Sequence, residues 1–174
     1  MNVKNWLKIA VALLALVLSA CGPEETPVFE TVGEDAYQQE EKPVAGQMEL
    51  MLPEEAVAQT MSDDLGGELY TWEGHTLQLQ TVAGGDIRRT VESVTGFDYE
   101  TLTVMASKKG DLMYYQTVWS TAGEEGTLVG RALIADDGNY HYCVSLLSPE
   151  ESDSAGVYDR LCASFSVTSG GASK

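Results

Sequence analysis

Two histidines and three cysteines are the most reactive side chains of this 174-residue chain. His141 and Cys143 stand two apart in a strand-like run, so their side chains share a face. That spacing suits a metal pair or a thiol–imidazole dyad. A zinc site needs three or four ligands, and no CxxC or HxxxH pattern supplies the rest. The pair therefore reads as one polar and one small residue on a strand, and no metal or cofactor is expected. Asp136-Asp137-Gly138-Asn139 has the look of a calcium loop, but the twelfth position, where a bidentate Glu belongs, is Leu147. A hairpin turn explains those four residues better. No GxSxG occurs, and Ala83-Gly84-Gly85-Asp86 lacks the residues of a phosphate-binding loop. A hydrolase acting on envelope material would work through scattered carboxylates such as Glu68, Glu73 or Asp98. Such a role requires them to meet in a cleft with shifted pKa values. Tyr114, Tyr115, Trp119, Tyr140 and Tyr142 fall on three neighbouring strand segments. They suit either an exposed patch for a glycan or peptide, or core and cross-strand pairs.

The third cysteine lies in a different context. Lys4 and Lys8 precede an uncharged apolar run, Ile9 to Leu18. At 1.5 Å per residue that run rises about 15 Å as a helix, too short for a bilayer core. It fits an export signal, residues 1–20. Leu18-Ser19-Ala20-Cys21 resembles the lipobox of bacterial lipoproteins. The resemblance implies a diacylglyceryl group on the Cys21 sulfur, with two palmitate-type acyl chains, and cleavage before Cys21. Two chains hold a protein at a membrane where one does not. The expected location is the extracytoplasmic face of the cell membrane.

Charge narrows the partners. The chain carries 27 acidic and 10 basic residues, a net −17. Removing residues 1–20 takes two lysines and no acid, leaving 8 basic residues and a net −19. Such a surface repels phosphates, so nucleic acid is excluded as a partner. Outside the cytoplasm Cys143 and Cys162 form an even pair that could bridge, closing a loop worth about 3 kcal/mol. The alternative is two small buried apolar residues.

The elements that must position these residues follow from periodicity and turn chemistry. Residues 21–46 are acidic, hold three of the five prolines and offer little to bury. They read as a lipidated flexible tether. Residues 47–168 suit one domain, and residues 169–174 a disordered tail. Gln47 to Leu52 reads as a strand. Pro53-Glu54-Glu55 reads as a helix start, with Val57, Met61 and Leu65 at spacings of four. Glu68–Trp72 and Thr76–Val82 read as a hairpin. Asp86 and Gly96 bracket a helix with Ile87, Val91 and Val94 on one face. Four strands follow, 101–107, 112–121, 127–135 and 140–147. Ser148-Pro149-Glu150-Glu151 has the pattern of a capping box opening a helix that presents Ala155, Tyr158, Leu161, Cys162 and Phe165.

This order predicts an α+β domain, a mostly antiparallel sheet with helices packed on it. The run GTLVGRALIADDGNYHYCVSLLSPEE, with the ending LCASFSV, resembles small lipoproteins of Clostridia-type Gram-positive bacteria. Their domain is similar to the PsbP/Mog1-like fold, shared by the extrinsic protein of photosystem II and the Ran-binding protein Mog1. The resemblance implies a non-catalytic binding or interaction module that engages an envelope protein or a small ligand. An accessory subunit of an envelope complex and a carboxylate-dependent hydrolase are the alternatives.

Overall fold

The computed structural model describes residues 43–61 and 67–168. The export signal, Cys21, most of the expected tether, residues 62–66 and the expected tail lie outside them. Nine strands and two helices follow in order: β1 (Gln47–Glu49), β2 (Val57–Gln59), β3 (Glu68–Trp72), β4 (His75–Ala83), α1 (Ile87–Thr95), β5 (Val104–Lys109), β6 (Leu112–Gly123), β7 (Gly126–Asp136), β8 (Tyr140–Pro149), α2 (Ser154–Ser164) and β9 (Ser166–Thr168). Seven strands form one antiparallel sheet in the order β2-β3-β4-β8-β7-β6-β5. β1 and β9 pair separately, Met48 opposite Val167.

The meander β5 to β8 forms as its turn residues predict. β8 then inserts beside β4, Leu79 opposite Val144, which joins the N-terminal hairpin to the meander. The two central strands are buried on both faces. Ala132–Ala135 of β7 and His141–Leu146 of β8 are unbroken buried runs. On one face α2 packs Val157, Tyr158 and Leu161 against Trp72, Leu77, Leu79, Leu133, Val144 and Leu146. On the other, Val91 of α1 meets Ile134 and Cys143, flanked by Ile87, Val94 and Tyr115. Asp86 caps α1 through the Arg88 N–H at 3.1 Å, and Gly96, at φ 76°, closes it by donating to the Glu92 carbonyl.

Two expected helix starts are overturned. Pro53 to Ala56 makes a single turn, the Ala56 N–H reaching the Pro53 carbonyl at 3.0 Å. The chain then pairs Val57–Gln59 with Leu69–Thr71 as an edge strand. Val57 is exposed in the strand, and pairing at the open sheet edge satisfies backbone that a short helix would first have had to nucleate. The apparent capping box at Ser148 is a strand end. Ser148 lies opposite Val129 and Pro149 opposite Leu128. The helix starts five residues beyond Pro149, capped by Asp153 through the Gly156 N–H at 3.0 Å. Ser148 is fully buried and its hydroxyl is used inside the sheet, so it caps nothing.

Candidate functional site

The residues singled out for chemistry meet different fates. His141 and Cys143 share a face, but α1 covers both. His141 is 1% exposed, with Nδ1 2.7 Å from Thr90 Oγ1. Burial pushes the Cys143 thiol up to about 12, against a weaker opposing hydrogen bond with Gln80. A thiol so protonated is no nucleophile. Among the described residues no group of three metal-ligating side chains exists. The Asp136–Asn139 carboxylates are spent on the turn itself: Asp136 accepts from Gly138 N–H, and Asp137 from the N–H groups of Asn139 and Tyr140.

Of the two readings of Cys143 and Cys162, the structure holds the pair without a bridge. Cys143 belongs to the α1 face of the sheet and Cys162, on α2, to the opposite face, and both are free. A disulfide needs Cβ atoms about 4 Å apart, and here the sheet lies between them.

The five aromatic residues do not form one patch either. Strand alternation sends Tyr114 to the α2 face and Tyr115 to the α1 face. Trp119 and Tyr142 are buried. Trp119 lies against Gly130 so closely that a Cβ there would sit 2.1 Å from Cε2 of the indole. Tyr140 and Tyr142 instead hold the chain's own entry to the domain. The Tyr140 hydroxyl donates to the Pro43 carbonyl at 2.7 Å. The Tyr142 hydroxyl accepts from the Gly46 N–H at 2.8 Å and donates to Asp137 Oδ2 at 2.7 Å. Residues 43–46, read from sequence as the end of the tether, are thus fixed against β8.

Glu68, Glu73 and Asp98 are exposed and apart. Glu68 accepts from Tyr70, Glu73 is on the β3–β4 turn, and Asp98 precedes a short helical turn, Tyr99–Thr101. Glu73 lies five residue steps along the chain from Glu68, about 17 Å at the usual strand rise. No acid–base pair is assembled from these three.

A site that the sequence did not reveal lies beside that turn. Residues 51–55, the β3–β4 turn and α2 enclose a groove of about 350 Å³. Leu52, Trp72, Val157 and Leu161 form its apolar surface, and Glu55, Glu73 and Arg160 contribute charges. His75 also lines it and is only 5% exposed. Its ring stands 5.2 Å from that of Trp72, and Nδ1 lies 2.8 Å from Ser148 Oγ. Ser148 has no other side-chain partner among the described residues. Its buried hydroxyl must donate to something, and Nδ1 is the acceptor at hand. Nδ1 then carries no proton, and Nε2–H is a donor. Burial holds the His75 pKa below its ordinary value, against a weaker upward pull from Glu73, which keeps the ring neutral. Glu73 is also the sole non-glycine residue with positive φ, 42°, among the described residues. With Gly74, at φ 80°, it forms the two-residue turn between β3 and β4, a hairpin type that takes positive φ at both positions. Hollows of about 470 and 480 Å³ lie elsewhere, but neither has a deeply buried polar group in its lining.

No family model matches the sequence, and no curated protein matches it. The domain is similar in structure to a cyanobacterial PsbP from Synechocystis, with a TM-score of 0.53 and 11% identity over 71% of this chain and 93% of that one. This likeness gives the domain a PsbP-like fold. LpqN of Mycobacterium tuberculosis, described as involved in cell envelope biogenesis, is a second similar structure, with a TM-score of 0.47 and 12% identity over 74% of this chain and 87% of that one.

Proposed function

We propose that this chain is a lipid-anchored envelope protein whose PsbP-like domain is a non-catalytic binding module for a small ligand or an envelope protein. In this reading residues 1–20 direct export, Cys21 carries the lipid, and the domain stands on the extracytoplasmic face. The protein then belongs with the small lipoproteins of Clostridia-type Gram-positive bacteria. The observation that carries the binding role is the groove beside His75. It joins an apolar surface to a fixed, neutral donor, and the neighbouring hydroxyl, Ser148, is fully buried and unable to attack a substrate. The anchor is tested by feeding cells a labelled lipid precursor. Label on the wild type and none on Cys21→Ser is expected; equal label on both would refute the anchor.

The open edge of β5 favours a second reading, an accessory subunit of an envelope complex. Met105, 60% exposed on that strand, and Val118, 46% exposed on its neighbour β6, share the α2 face of the sheet. Co-purification of a stoichiometric partner from solubilised membranes, lost on Met105→Glu, supports it. Isolation of the wild type alone counts against it.

A further inference from the structure

We infer that the groove beside His75 recognises a single carboxylate attached to an apolar body, as in an N-acylated amino acid or the C-terminal residue of a peptide. The inference rests on the binding-module reading and names its ligand chemistry. His75 cannot turn. Its Nδ1 is held at 2.8 Å by a serine with no exposure, and its ring is packed beside Trp72. Nε2 has no hydrogen-bond partner among the described residues, and it is not among the buried atoms left without one. His75 lines the groove, which puts the ring at its wall. The hydrogen bond assigned above makes Nε2 a donor, which selects an acceptor in the ligand. Arg160 supplies a cation from α2. A carboxylate joined to guanidinium makes a charge-assisted hydrogen bond, about twice as strong as a neutral one.

The remaining lining residues limit the choice. Leu52, Trp72, Val157 and Leu161 would bury an aliphatic or aromatic body. Glu55 and Glu73 set two negative charges against the one cation. A dianion such as phosphate is therefore opposed, while a monoanion with a nonpolar body is accommodated.

The chain has two histidines, so its imidazole signals give a clean readout, with His141 under α1 as the internal control. N-acetyl-leucine, N-acetyl-leucinamide, a neutral tripeptide ending in leucine, and inorganic phosphate are titrated separately into the chain at millimolar concentration. N-acetyl-leucine is expected to move the His75 signals and leave those of His141 in place. The amide, with the same body and no charge, binds about tenfold more weakly, the ratio that corresponds to about 1.4 kcal/mol. Arg160→Ala removes that preference for the acid while the amide still binds. The tripeptide matching N-acetyl-leucine identifies a chain end as the source of the carboxylate; its failure to bind identifies the small acid. His75 signals that no organic probe moves, equal affinity for acid and amide, or a response to phosphate like that to the acid would each overturn the inference. None of these results bears on the lipid label, so the anchor and the ligand stand or fall separately.

Discussion

Tyr142→Phe is the sharpest probe of how the domain holds its own N-terminal entry. The ring is fully buried between strands, and phenylalanine keeps it, so the change deletes one oxygen and little packing. That oxygen makes two hydrogen bonds, to Asp137 Oδ2 at 2.7 Å and from the Gly46 N–H at 2.8 Å. A bond to a carboxylate contributes about 1.5–3 kcal/mol and a neutral one about 1 kcal/mol. Both partners are only partly buried, so water takes over some of each role, and the expected loss is about 2 kcal/mol at neutral pH. The effect should depend on pH. Partial burial pushes the Asp137 carboxyl up, but the bonds from Tyr142, Asn139 and Tyr140 outweigh it and hold the pKa below its ordinary value. A depressed carboxylate contributes stability above its unfolded pKa, and this is lost as pH falls through the folded value. The penalty of Tyr142→Phe should therefore shrink in acid. Urea unfolding at both ends of that range measures it as a midpoint shift at constant slope. Hydrogen exchange should show the Gly46 amide opening without the strands. A penalty below about 0.5 kcal/mol, within the range of an ordinary surface substitution, together with unchanged Gly46 exchange, would refute the account.

Other consequences are equally direct. Gly130→Ala places a methyl group 2.1 Å from the Trp119 indole, so it should cost about 1–3 kcal/mol and lower the thermal midpoint; an unchanged midpoint contradicts the packing. Alkylation of the folded chain should leave Cys143 unmodified, and Cys162, half-buried with its pKa also raised by burial, should react slowly. Reductant should not alter the melting curve, whereas a mass lower by two hydrogens and localised to Cys143 and Cys162 would show a bridge. His75 should make the domain less stable in mild acid. Its folded pKa is depressed, so the unfolded chain gains the proton first, and stability falls as pH drops below about 6.5 toward the folded value. His75→Gln should flatten that slope between about pH 7 and 5, and an unchanged slope in the variant would assign the loss to other groups.

The hairpin turns, the central strands and α1 were legible because each is coded locally. Asp136-Asp137-Gly138-Asn139 makes its own turn bonds, β7 shows its burial as a continuous apolar run, and Asp86 and Gly96 cap α1 from adjacent positions. The two false helix starts had local signals as good. They failed because Val57–Gln59 found a sheet edge and Ser148 found His75, 73 residues away. The division of adjacent Tyr114 and Tyr115 between faces was already implied by strand alternation, but the separation of Cys143 from Cys162 depended on which face of the sheet α2 covers, which pattern alone leaves open. The groove beside His75 was illegible for the same reason. Its walls come from residues 51–55, the β3–β4 turn and α2, segments distant in the chain, in a fold whose N-terminal hairpin is joined to the meander by the pairing of β4 with β8. The sequence by itself determined the order of the meander, the turns that fold it and the acidic charge, because those depend on neighbours along the chain. Only the tertiary structure decided which face each side chain serves and which polar groups converge, because burial and pairing are settled between segments distant in the chain.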